Sequence, residues 1–199
     1  PSTLKQKARV MAKNYWLHEH RAGPDWEHFL QRYKFACRWA SGTVLDVACG
    51  YGYGSNMIAE AGKAECVLAG DRDTRAIQQA RKITQGFDYR AKPVYVVMSD
   101  LQVDALPYCD WGVTLETVEH LPEHLPFIER LKTSARLGVV LSTPILPNLH
   151  TRKGNYHSFT SEEINGWFDG WDIEATEIFG KRATDGADMY HVGAYTKRV

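Results

Sequence analysis

The chain has 199 residues, 44% of them hydrophobic, enough for a single well-buried core. Lys plus Arg total 24 and Asp plus Glu total 24, so the net charge is zero and no global field is set up to grip a phosphate backbone. No stretch reaches the roughly 20 apolar residues of a membrane span, the first residues lack the apolar middle of a secretion signal, and Cys37, Cys49, Cys66 and Cys109 form no C-x-x-C pair, so reduced thiols in a cytoplasmic protein are expected.

In chain order, "WEHFLQRYKFACRWA" carries aromatic and aliphatic residues at helical spacing and predicts a helix that covers the sheet to follow. The run "TVLDVA" (43–48) predicts a first strand. It leads into "CGYGYGS", where Gly50, Gly52 and Gly54 alternate before the helical stretch "SNMIAEAG". Strands are then predicted at "ECVLAGD" (65–71), "VYVVMSD" (94–100), "WGVTLE" (111–116) and "GVVLSTP" (138–144). "TRAIQQARKITQG" and "PFIERLKTSARLG" read as helices, each stopping at or near a glycine. Most of the runs are apolar throughout, as parallel strands covered on both faces must be. This βαβ repetition implies a doubly wound sheet with its ligands at the carboxyl ends of the strands. The tail departs from the pattern. Thr160 and Glu163 form a capping box for a short helix, and "WDIEATEIFG" and "MYHVGAYTKR" alternate like an antiparallel pair. A single domain is expected over 1–199: a helical cover (1–41), a core (42–144), and a flap, helix and terminal hairpin (145–199).

A strand, three alternate glycines and a helix make a ligand turn: glycine permits positive φ and leaves the backbone bare, and the helix start offers free N–H groups. A branched side chain at Gly52 is expected to strike the ligand. The dinucleotide fingerprint G-x-G-x-x-G fails because Ser55 holds the third glycine position, and the absence of Lys excludes a Walker phosphate loop. Acids end three successive strands, at Asp46, Asp71 and Asp100. That suits a ligand with a positive charge and ribose hydroxyls but no phosphate. The plain alternative is that these acids satisfy turn amides or cap helices.

"LDVACGYGYGS" resembles the first motif of class I S-adenosylmethionine-dependent methyltransferases, in which an acid precedes a G-x-G turn that holds the amino-acid part of the cofactor. Asp46 matches the acid and Gly50 and Gly52 the turn; Ala48 stands where many members have glycine. "AGDRDTRAIQQAR" resembles the ribose-binding strand end, "VVMSDLQ" the adenine-binding turn, "CDWGVTLETVEHLP" the fourth-strand segment, and "YHSFTSEEINGWF" the histidine-bearing lead into a late helix. The resemblance implies a Rossmann-like, mostly parallel seven-stranded sheet with an antiparallel last strand, and S-adenosyl-L-methionine as cofactor, leaving S-adenosyl-L-homocysteine. It implies that Asp71 accepts from the ribose, that Asp100 and the backbone of Leu101 meet the adenine, and that Arg72 and Leu115 complete the cofactor set. Glu116, His120 and His157 fall on the acceptor side, where an imidazole suits proton transfer.

The acceptor segment reads "TLET", not the N-P-P-Y or D-P-P-F of amino-methyltransferases, and no Pro-Cys pair supplies a cytosine-type nucleophile. A small-molecule, sugar or nucleotide-linked (including glycan) acceptor is therefore expected, methylated on oxygen with nitrogen as the second choice, with nucleic acid disfavoured and the oligomeric state open. Arg152 and Lys153 in the segment before His157 suit a negative group on the substrate. No metal is expected: "HEH" (18–20) lacks further ligands, and Pro122 interrupts the spacing of His120 and His124. The rival readings are a non-catalytic cofactor-binding module, which would have a blocked acceptor side, and a nicotinamide oxidoreductase, which Ser55 disfavours.

Overall fold

The computed structural model describes residues 25–61, 63–85, 91–98, 105–145, 153–181 and 188–198. The elements are α1 (Asp25–Trp39), β1 (Gly42–Val47), α2 (Tyr53–Ala61), β2 (Ala64–Asp71), α3 (Thr74–Gln85) and β3 (Val94–Val97). They continue with β4 (Cys109–Leu115), a 3₁₀ turn (Val118–His120), α4 (His124–Ser134), β5 (Ala135–Pro144), α5 (Ser161–Gly166), β6 (Trp171–Lys181) and β7 (Asp188–Lys197). All seven strands join one sheet in the order β3-β2-β1-β4-β5-β7-β6. Strands β1 to β5 pair in parallel, and β7 runs antiparallel to both β5 and β6. The last strand in the chain is therefore the one that runs against the other six.

The apolar runs are divided between two cores by the two-residue period of a strand. Val44, Val113, Val140, Val192 and Ala194 face one side, where Tyr33, Phe35 and Ala36 of α1 and Met57 and Ile58 of α2 cover them. Leu45, Val47, Val139, Leu141 and Tyr195 face the other, under Phe127, Ile128 and Leu131 of α4 and Ile164 of α5. The helix α1 is thus a cover for the sheet, as its sequence spacing predicts. Among the described residues no helix is long and apolar enough to cross a membrane.

The end of α4 differs most from the sequence expectation. The helix expected to run to Gly138 stops at Ser134, and Ala135 turns to φ −82°, ψ 124°. Ala135 pairs with Cys109, and Gly138 pairs with Trp111 inside β5. A Cβ at Gly138 would lie 2.7 Å from both the Trp111 ring and the Tyr195 carbonyl oxygen, so this glycine serves close packing rather than a helix stop. The capping box is present: Thr160 Oγ1 accepts from the Glu163 amide at 3.2 Å, and Glu163 Oε2 accepts from the Thr160 amide at 2.7 Å. The sequence expectations for Asp100, Leu101, Arg152 and "HEH" fall outside the described residues.

Candidate functional site

The strand order reverses between β1 and β4, so a crevice opens at their carboxyl ends. The turn after β1 holds three alternate residues in the left-handed region: Ala48 at φ 59°, Gly50 at 53° and Gly52 at 75°. Ala48 adopts there what glycine adopts freely, at a cost of roughly 1–2 kcal/mol. Tertiary bonds hold the turn. The Cys49 amide donates to the Gly70 carbonyl at 3.0 Å, and the Gly50 amide donates to Asp71 Oδ2 at 2.8 Å.

The three glycines do three different things. A Cβ at Gly50 would meet nothing within 4 Å, so its bare backbone lines open space at the crevice. A Cβ at Gly52 would strike the Tyr95 side chain, whose hydroxyl donates to the Gly52 carbonyl at 3.1 Å. A Cβ at Gly54 would overlap the Tyr33 ring, so its absence lets α1 lie across the start of α2. The position where a side chain would enter the crevice is therefore Gly50, not Gly52.

Asp46 stands beneath this turn, with no exposed surface. Its Oδ2 accepts from Ser55 Oγ at 2.6 Å, and its two oxygens accept from the Tyr33 hydroxyl at 3.3 and 3.4 Å. Burial dominates its titration: loss of water pushes the carboxyl up to about 7, against the opposing bonds from Ser55 and Tyr33. Burial and the Asp46 charge likewise push the Tyr33 phenol well up. Ser55 breaks the dinucleotide fingerprint and at the same time holds Asp46. Tyr33, from an otherwise covering helix, gives no sequence signal of this contact.

At the end of β2, Asp71 is partly buried. Its Oδ1 accepts from the Asp73 amide at 2.8 Å while Oδ2 holds Gly50. Each carboxylate oxygen has a second lone pair, so both retain capacity for a ligand hydroxyl. The helix cap falls to Asp73, whose Oδ1 accepts from the Arg75 and Ala76 amides at 2.8 and 3.3 Å. Arg72 is exposed beside Asp71, and Leu115 ends β4 with its carbonyl accepting from Thr117 Oγ1 at 3.3 Å.

A second group of candidate residues gathers at the ends of β4 and β5. Glu116 adopts φ 57°, and its Oε1 accepts from Ser142 Oγ at 2.8 Å and lies 3.7 Å from Arg32 Nε. Glu119, which the sequence reading does not single out, is 2% exposed, and its Oε2 accepts from Thr143 Oγ1 at 3.2 Å. Burial first, then the Glu116 charge, raises the Glu119 carboxyl well above the usual range; burial raises Glu116 as well. The exposed His120 ring places Nδ1 2.7 Å from the Gly154 carbonyl oxygen. A carbonyl only accepts, so Nδ1 carries the hydrogen and Nε2 keeps its free lone pair, 3.8 Å from Glu119 Oε1. His157 Nε2 donates to the Leu121 and Pro122 carbonyls at 3.0 and 3.1 Å, and the Tyr156 amide donates to the Glu119 carbonyl at 2.8 Å. These bonds pin residues 153–157 against the 3₁₀ turn that carries His120.

No family model matches the chain. Two curated Mycobacterium tuberculosis proteins, from strains CDC 1551 and H37Rv, each named a probable S-adenosylmethionine-dependent methyltransferase, are 30% identical over 92% of this chain. The chain spans 65% of the length of each. Among solved structures, magnesium protoporphyrin IX methyltransferase from Synechocystis PCC 6803 with bound S-adenosylmethionine matches with a TM-score of 0.71 at 18% identity, covering 100% of both chains. An N-methyltransferase from Bradyrhizobium japonicum, in complex with S-adenosyl-L-homocysteine, matches with a TM-score of 0.70 at 13% identity, covering 87% of each. The chain has the Rossmann-like seven-stranded fold of class I methyltransferases.

Proposed function

We propose that this chain, which carries the class I methyltransferase fold and has relatives of that name, transfers a methyl group from S-adenosylmethionine to an oxygen of a small-molecule, sugar or nucleotide-linked acceptor. The observation that carries the reading is the turn after β1: a bare Gly50 facing open space, with its amide bonded to the ribose-type acid Asp71. The donor set suits this cofactor. It offers carboxylates and backbone to a ligand with a sulfonium, an adenosine and an amino acid, and places no Lys or Arg on the glycine turn.

Bound there, the cofactor supplies an electrophilic methyl group. The backbone of Ala48 and Gly50 carries its amino-acid part, with Gly52, Asp46 and Ser55 bracing the turn from below. Asp71 accepts from the ribose hydroxyls, with Arg72 beside it. Asp100 and Leu101 serve the adenine, and Leu115 closes the floor at the end of β4. On the acceptor side His120 Nε2 takes the hydroxyl proton, its tautomer set by the Gly154 carbonyl that faces Nδ1. His157 acts through the backbone it holds, fixing the segment against which the acceptor is aligned; such alignment is worth several kcal/mol in a transfer of this kind. The test is a labelled-methyl assay with acceptor-containing cell extract, the labelled product being identified by mass. A labelled oxygen ether or ester of a small molecule supports the reading, and label confined to nucleic acid or protein overturns the acceptor class. Cofactor binding without any transfer leaves a binding module instead.

A further inference from the structure

His124 opens α4 and has no part in the proposed chemistry, yet it sits at the centre of an aromatic cage. Its ring centre lies 4.5 Å from that of His157, 4.8 Å from that of Phe159 and 5.2 Å from that of Trp167. His157 stacks on Phe159 at 5.4 Å, and Phe159 meets Trp167 edge-on at 4.7 Å. The cage therefore ties residues 153–159 to the start of α4 and the end of α5. Two histidine bonds also hold this segment: His120 Nδ1 to the Gly154 carbonyl, and His157 Nε2 to the Leu121 and Pro122 carbonyls. Each uses an N–H that the ring keeps in both charge states, so neither bond is lost in acid. His124 contributes ring packing instead, and packing among apolar rings opposes a charge. Burial first, then the His157 charge, holds its titration below the ordinary 6.5; Glu123 at the start of α4 and Glu163 on α5 pull the other way. Both of those acids are exposed, and Glu163 is engaged with Thr160, so water weakens their pull.

We infer that His124 is a positioning residue: its neutral ring latches residues 153–159 against α4, and its charged ring releases them. The effect on turnover rests on the proposed function, in which that segment aligns the acceptor; the latch itself does not. The fold favours the neutral ring. The stabilisation it gives is complete above the ordinary 6.5 and is lost as pH falls through the lowered value. A charged His124 would stand edge-on to His157 and between Phe159 and Trp167, where lost water and the like charge of His157 both drive it outward. Its departure removes the support of both His157 and Phe159, the alternate residues that lead the segment into the Thr160 cap. The Tyr156 amide lies between Gly154 and His157 and donates to the Glu119 carbonyl at 2.8 Å, so it reports whether the segment is held.

The test is hydrogen exchange at the Tyr156 amide in wild type and His124→Phe, at pH 8 and pH 5, corrected for the intrinsic pH dependence of exchange. Phe keeps a ring in the cage and cannot take a charge. The two proteins should match at pH 8. At pH 5 the wild type should lose protection by about threefold or more, while His124→Phe keeps it. The other titrating groups, Asp46 and Glu163 among them, act on both proteins alike. Equal protection of the two at pH 5 would overturn the latch. So would a wild-type segment better protected in acid, which would show the two imidazoles sharing a proton. The wild type alone gives a second check by magnetic resonance: the His124 ring and the Tyr156 amide should titrate with one midpoint below 6.5, and separate midpoints would refute the coupling. In the labelled-methyl assay with cell extract, the ratio of wild-type to His124→Phe turnover should fall from pH 8 to pH 5, and a constant ratio would overturn the positioning role. If neither protein transfers methyl, the proposed function fails, and the exchange result decides the latch by itself.

Discussion

Replacing Asp46 by Asn should change how stability depends on pH more than any other single substitution in the core. The buried carboxyl is raised from its usual 3.8 to about 7 because it has lost its water, and Ser55, Tyr33 and the more distant Asp71 charge are the groups that face it. The native state therefore holds the proton more tightly than the unfolded chain does. The stabilisation is complete below the unfolded value near 3.8 and is lost as pH rises through about 7. At about 1.4 kcal/mol per pH unit, the native state gives up about 4 kcal/mol between pH 4 and pH 8 through this group. Asn has nearly the same shape, carries no charge at any pH, and keeps one oxygen to accept from Ser55 or Tyr33. The measurement is urea unfolding of wild type and Asp46→Asn at half-unit steps from pH 5 to pH 8. The stability of the variant relative to wild type should climb steadily by a few kcal/mol across that range. Buried His191, held down to about 4 by loss of water, tilts both curves the opposite way at low pH and cancels in the difference. Two parallel curves would show that Asp46 is not buried as a neutral acid beneath the turn.

Gly50→Val should abolish S-adenosylhomocysteine binding at a modest stability cost from its φ of 53°, whereas Gly52→Ala should lower the melting temperature by striking Tyr95; equal melting losses, or retained binding in Gly50→Val, would reverse these assignments. Asp71→Asn should weaken S-adenosylhomocysteine by about tenfold or more, since it loses a charge-assisted acceptor. Asp73→Ala should instead cost about 1 kcal/mol of stability through the α3 cap and leave affinity alone, as titration and thermal melting of both variants will show. His120→Ala and His157→Ala should each lower turnover with cofactor affinity nearly unchanged, and His157→Ala should also speed proteolysis near residues 153–157. Wild-type turnover in both would remove the histidines from the mechanism.

The strand runs were legible because parallel strands buried on both faces must be written in apolar residues, and the two cores then divide them automatically. Thr160 and Glu163 were legible because a capping box is a local contract between residues three apart. The end of α4 was not, since nothing local in "SARLG" forbids a further helical turn; pairing of Ala135 with Cys109 and the contact of Gly138 with Trp111 decide it. The glycine turn is legible as a bare strand-to-helix connection, but the separate duties of its glycines depend on Tyr95 and Tyr33, far away along the chain. Arg32 and Tyr33 carry no local signal in an amphipathic helix, because their partners Glu116, Tyr190 and Asp46 are brought to them only by the fold. Glu119 gives no sequence signal that sets it apart from Glu116 in "ETVEH"; its burial and its bond from Thr143 come only from the fold.

The central claim is that the crevice between β1 and β4 holds an adenosyl amino acid without a phosphate. Calorimetric titration of the wild-type chain with S-adenosylhomocysteine and, separately, with NAD tests it most directly. One-to-one binding of S-adenosylhomocysteine that Gly50→Val removes, and no binding of NAD, is the expected result. Binding of NAD in place of S-adenosylhomocysteine, or S-adenosylhomocysteine binding that Gly50→Val leaves untouched, would contradict it.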